Sequence, residues 1–158
     1  MSITTDIVES WRRPRAVVRR HLARGRSEPF AFSLLVAFLV LAFVAQWPSA
    51  SRAAFEDGNT PVAPRLLAIA LALLATVPMW YGLAALSRLV ARLFGGRGTW
   101  YGARIALFWS LVAVTPLMLL QGLVAGMIGP GPGLTAVGVI AGLAFVIFWV
   151  LALIEVER

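Results

Sequence analysis

The sequence predicts an all-α integral membrane bundle of about four transmembrane helices, preceded by an amphipathic interfacial helix, and three observations carry that prediction. Of 158 residues, 60% are hydrophobic and 13% charged, whereas soluble domains are roughly a quarter charged. Long runs carry no charge at all: nothing ionisable stands between Arg104 and Glu155. All fourteen basic residues are arginines gathered beside the apolar runs, as membrane topology and anionic headgroups require. The formal net charge of +7 therefore points to a lipid surface and not to nucleic acid. The absence of cysteine excludes disulfides, thiolate nucleophiles and cysteine-ligated metals. His21, the single histidine, has no acidic neighbour in sequence and reads as a headgroup-level side chain, not a metal ligand.

Two parts are expected, a basic segment over residues 1–28 and one transmembrane domain over 29–158. At 100° per residue, Ile3, Ile7, Trp11, Pro14, Val18 and Leu22 share one stripe, and Arg12, Arg13, Arg15, Arg19 and Arg20 occupy the other side. Such a segment lies in the membrane plane, Trp11 toward acyl chains and arginines toward phosphate; the plainer alternative is a solvated basic arm that only fixes topology. Pro14 lacks an N–H and should split the segment into two short helices. Asp6 and Glu9 have the spacing of a capping box.

Span one is read as Phe30–Trp47, bracketed by Pro29 and Pro48, about 27 Å long at 1.5 Å per residue and just sufficient for the hydrocarbon core. It reads as an uncleaved anchor. The polar stretch Ser49–Pro64 should be a loop. Span two covers Leu66–Ser87, kinked at Pro78, with Arg88 and Arg92 emerging among headgroups one turn apart. Gly95 and Gly96 can take the positive-φ conformation that ends it, and Thr99 can N-cap the next helix. Trp100, Tyr101 and Arg104 are placed at headgroup level. Span three is Ile105–Ile128, with a kink at Pro116; Gly129–Gly133 is a tight turn; span four is Leu134–Ile154. Seven arginines precede span one and four lie between spans two and three, against two and none in the other loops. That asymmetry puts both termini in the cytoplasm.

The stretch Gly95-Gly96-Arg97-Gly98-Thr99-Trp100-Tyr101, the helix start Ala103–Trp109 and Pro116 resemble the signature region of the YIP family, small membrane proteins named for eukaryotic relatives that interact with Ypt/Rab GTPases. Trp11-Arg12-Arg13-Pro14-Arg15 and Gly129-Pro130-Gly131-Pro132-Gly133 resemble its bacterial, alphaproteobacterial-type branch. The resemblance covers most of the chain and implies a membrane architecture, in a bacterial inner membrane, and not a reaction. Relatives often have five spans, so four is a departure.

The spans hold no acid, histidine or cysteine, which removes proton relays, metal sites and nucleophile–base pairs from the hydrocarbon region. No catalytic residue, cofactor or metal is expected. Ser33, Thr76, Ser110 and Thr115 can satisfy their own helix backbones, Thr115 beside Pro116 in particular. Gln121 is different: lipid offers its carboxamide nothing, so it should bond another helix or a neighbouring subunit. Gly122 and Gly126 in span three and Gly138 and Gly142 in span four form two GxxxG pairs at similar depth, expected to face each other across the hairpin or to meet a second copy. The implied function is a non-enzymatic membrane organiser or scaffold in contact with anionic lipid. The alternatives are an accessory subunit of a larger inner-membrane complex, for example a bioenergetic one, and, with less support, a small transporter or channel. A homo-oligomer fits the organiser reading, and one stoichiometric partner complex fits the subunit reading.

Overall fold

The segment around Ser27 shows how the sequence starts its first long helix. Ser27 is extended and its hydroxyl accepts a hydrogen bond from the Phe30 N–H at 3.4 Å, while Pro29 sits in the first turn, where no N–H is needed. In the computed structural model, which describes residues 3–158, this helix is α3, Glu28–Asp57. Before it come α1 (Ile3–Ser10) and α2 (Pro14–Ala23), split as Pro14 dictates. After it come α4 (Val62–Ala75), α5 (Val77–Leu93), α6 (Trp100–Met127) and α7 (Pro132–Glu157). The protein is all-α with four candidate membrane spans, α4 and α5 together forming the second.

Three boundaries differ from expectation. α3 does not stop at Pro48 but runs on to Gly58, whose φ of +66° closes it. One missing N–H removes only one rung, and Ser49 remains helical with its hydroxyl on the Gln46 carbonyl at 2.8 Å. The expected loop therefore shrinks to Gly58–Pro61. Pro78 does not bend a continuous helix: α4 ends at Ala75, Thr76 is the joint, and Pro78 falls in the first turn of α5. The Asp6–Glu9 spacing makes no capping box, because both residues lie inside α1.

At Pro116 α6 is unbroken. Pro116 deprives the Val112 carbonyl of its usual donor, and the Thr115 hydroxyl donates to that carbonyl at 2.7 Å. The turn before α6 forms as expected. The Gly95 φ is +82°, Gly96 N–H reaches back to the Ala91 carbonyl at 2.9 Å, and Thr99 caps Gly102 N–H at 3.0 Å.

α6 is the axis of the bundle. α3, α5, α7 and the α1–α2 pair all pack on it. α3 and α6 run parallel: Arg104 reaches Glu28 at one end (2.5 Å) and Arg52 reaches the Gly126 carbonyl at the other (3.5 Å). α7 returns antiparallel through the turn at Gly129. The face of α3 toward α6 carries Ala31, Leu34, Leu35, Phe38, Ala42 and Ala45, all buried, at the helical repeat. Between helices in lipid the driving force is close van der Waals contact, so small residues matter as much as large ones.

The glycines show this. A Cβ at Gly122 would strike the backbone of Ala45, and one at Gly126 would strike Pro48. The Gly122–Gly126 pair thus seats α6 on α3, not on the Gly138–Gly142 pair. α3 lies parallel to α6 with alanine and proline at the same level, so its backbone comes closer than that of α7. Gly138 instead faces the Gln121 side chain, and Gly142 faces open space.

Candidate functional site

The end of the bundle where α3 and α6 begin and α5 and α7 finish carries nearly all the ionisable chemistry. α1 and α2 fold over it as a hairpin. Trp109, buried in α6, donates its indole N–H to Ser10 Oγ at 3.0 Å, and Ser10 donates to the Asp6 carbonyl at 2.8 Å. Buried Asp6 accepts from Arg20 at 2.8 Å, and Glu9 from the same guanidinium at 2.6 Å. His21 is buried between Trp109 and Phe30, ring centroids at 4.4 and 5.4 Å. Burial pushes its pKa from 6.5 down to about 4; Asp6 at 3.8 Å opposes the shift, and Arg24 and Arg20 add to it. His21 is therefore a neutral packing group inside the bundle, not the headgroup-level side chain expected from the sequence.

The hairpin's buried residues are Asp6, Ser10, Val17, Val18 and His21. Its inner face keeps Val18 and the half-buried Ile7 and Leu22 of the predicted stripe, leaves Ile3 and Trp11 largely exposed, and points at α6 and α7. Trp11 packs edge-on against Phe148 of α7 at 5.0 Å and keeps 44% of its surface exposed.

A second contact closes the same end. Glu157, in the last turn of α7, accepts from Arg88 at 3.0 Å and from Gly98 N–H at 2.8 Å, and its carbonyl accepts from Arg97 N–H at 3.2 Å. A side chain at Gly96 or Gly98 would occupy the place of that carboxylate. The glycine-rich loop is thereby fastened to the end of the chain. Nothing in the local sequence signals this, because the partners stand 59 and 69 residues apart.

The ion pairs follow one rule. Each of the seven acids meets an arginine: Asp6 and Glu9 meet Arg20, Glu28 meets Arg104 and Arg26, Glu56 meets Arg52, Asp57 meets Arg65, Glu155 meets Arg19, and Glu157 meets Arg88. Of the arginines expected at headgroups, Arg19, Arg20, Arg88 and Arg104 therefore have their charge engaged within the chain. Arg12, Arg13, Arg15 and Arg92 form no ion pair among the described residues, nor do Arg24, Arg97 and Arg158. Those seven match the net charge of +7, and all lie at this one end. At the other end Arg52 and Arg65 are neutralised locally. Trp100 is 47% exposed, but Tyr101 is only 5% exposed, a correction to its expected headgroup place. Adjacent residues on a helix point 100° apart, so the pair cannot share one environment.

Among the described residues no group of three or more histidines or acids could hold a metal. The geometry is that of a charged surface fixed on an apolar bundle. The Yip1 domain profile matches residues 8–157, nearly the whole chain. The chain belongs to the Yip1 family. Comparison with curated proteins and with solved structures finds no match. The Yip1 domain so delimited begins within α1 and ends at Glu157, taking in the last residues of α1, all of α2 and the carboxylate that fastens the loop. The protein is accordingly a Yip1-domain membrane protein.

Proposed function

We propose that this protein is a non-enzymatic membrane organiser of the bacterial YIP type, seated in the inner membrane with both termini cytoplasmic, whose docked N-terminal hairpin presents arginines to anionic headgroups. The observation that supports this reading is the one-ended charge. Arg12, Arg13 and Arg15 flank the α1–α2 joint without an acidic partner, and Arg92, Arg97 and Arg158 continue the surface. Each such residue near an anionic leaflet contributes about 1 kcal/mol. Trp11 and Trp100, half exposed beside them, suit the interface. The orientation is tested by reporter fusions after Arg158: a cytoplasmic reporter should be active there, and an active periplasmic reporter would refute it.

One feature favours an accessory-subunit reading. α4 packs on α3 and places Leu73 against the core, but it has no fully buried residue, and Leu67, Leu71 and Leu74 leave an apolar face turned outward. Gentle solubilisation and identification of copurifying proteins separates the two. The organiser reading expects the chain alone or with copies of itself; one stoichiometric partner complex, lost on introducing polar residues along α4, would replace it with the subunit reading.

A further inference from the structure

Away from the arginine surface, all four spans line a cavity of about 410 Å³ that is not enclosed. Its walls are apolar and aromatic, with Phe38 of α3, Trp80 of α5, Leu111 of α6 and Phe145 of α7. Two carboxamides also line it, Gln46 of α3 and Gln121 of α6. α6 and α3 close its back, while α4–α5 and α7 form opposite sides that meet through the Arg88–Glu157 ion pair at the far end of the bundle. In a membrane, the gap between those sides opens onto lipid.

Of the polar groups lining the cavity, the two carboxamides keep donors that the protein does not use. Thr76 is satisfied, donating to the Leu73 carbonyl at 2.6 Å and accepting the Trp80 indole N–H at 3.0 Å. Gln46 accepts from Ser49 through Oε1 alone, at 3.4 Å, which leaves its N–H donors over. The Gln121 carboxamide bonds no protein group among the described residues. Its depth is informative. α6 is about 42 Å long against a hydrocarbon core of about 30 Å, so a centred helix overhangs by about 6 Å at each end. Gln121 lies about 9 Å from the end at Met127, just inside the hydrocarbon boundary, where ester carbonyls of glycerolipids sit. Gln46 is level with it, since neighbouring Ala45 abuts Gly122.

We infer that this cavity holds one acyl chain of a glycerophospholipid from the leaflet at the α6–α7 turn, its ester carbonyl accepting hydrogen bonds from Gln121 and Gln46. The size falls within the range of small-ligand pockets, apolar walls with a few placed polar groups. Carboxamide donors that would otherwise face hydrocarbon gain an acceptor. The aromatic walls deeper in the bundle receive the chain. The site lies at the opposite end from the arginine surface and stands or falls without it.

Gly142 provides the test, because it lines the cavity and a Cβ there meets nothing within 4 Å. Leucine at this position projects into the cavity and favours the helix over glycine. Full-length protein is placed in phosphatidylethanolamine–phosphatidylglycerol vesicles containing phosphatidylethanolamine with a diazirine in mid-chain. After photolysis, labelled residues are mapped. Labelling of Trp80, Leu111 and Phe145 should saturate as the probe fraction rises, and Gly142→Leu should reduce it roughly tenfold while outward-facing Val139 and Leu143 are unaffected. Gln121→Leu should weaken saturation about three- to tenfold, the loss of one intramembrane hydrogen bond. Labelling that rises linearly with probe in the wild type, or cavity labelling unchanged by Gly142→Leu, would overturn the assignment. So would a non-lipid compound found in the cavity that excludes the probe. The saturation curve needs no variant, so a misfolded Gly142→Leu leaves the test intact.

Discussion

Ser10 is a small residue with a large structural consequence. Its hydroxyl is the acceptor for Trp109, and both are buried. Ser10→Ala leaves the indole N–H without that acceptor and should cost about 1–3 kcal/mol, measurable as a lower unfolding temperature in detergent; an unchanged midpoint would mean the hairpin does not hold Trp109. The glycines separate in the same way. Gly122→Ile must push α6 from Ala45 and should cost about 1–3 kcal/mol or more, whereas Gly142→Leu should leave stability intact. The small residues at 122 and 126 were legible as packing sites in the sequence, but their partner was not. A GxxxG pair states that a backbone approaches; it does not say which. The two pairs lie at matching depths across the hairpin, which points to α7, while a span ending at Trp47 puts Ala45 and Pro48 at its limit. Gln46 was hidden for the same reason, one residue short of the expected helix end.

At the scale of elements, the N-terminal hairpin is the part whose amphipathic character was readable and whose inner face was readable only in part, through Ile7, Val18 and Leu22. The arginines gave its outer face, and Pro14 gave its division. The inner face includes Asp6, Ser10 and His21, polar residues that a hydrophobic stripe excludes and that only the contacts with Arg20 and Trp109 make tolerable. This docking should depend on pH. The His21 pKa falls from 6.5 to about 4 on folding, so the unfolded or undocked form binds the proton more readily. The stability it represents is fully present above pH 6.5 and is lost as pH falls from 6.5 toward 4. Hydrogen exchange in α1 and α2 should rise over that window, and His21→Phe should remove its contribution; a flat profile in the wild type would show that His21 is not held neutral. The α7 end makes a parallel case. Glu157→Gln leaves Arg88 without its carboxylate and should free the Gly95–Gly98 loop, seen as faster exchange at Gly98 with α3 unaffected.

Across the whole molecule, four spans, the turn at Gly129 and the capped start of α6 were all readable, because charge-free runs, glycines and Thr99 are local signals. The web of ion pairs was not, since it joins Glu28 to Arg104 and Arg88 to Glu157 across the chain. That web converts fourteen arginines and seven acids into a net charge on one end, and the proposed organiser role rests on it. The most direct measurement reconstitutes the full chain in zwitterionic vesicles containing a minor fraction of labelled anionic lipid and reads energy transfer from tryptophan as a measure of recruitment. The triple variant Arg12→Gln, Arg13→Gln and Arg15→Gln should lose about 3 kcal/mol of that attraction at low salt, at about 1 kcal/mol for each residue. Arg52→Gln with Arg65→Gln, at the neutralised end, should change it little. Equal recruitment by the wild type and the triple variant, or a loss as large on changing Arg52 and Arg65, would contradict a one-ended lipid-binding surface.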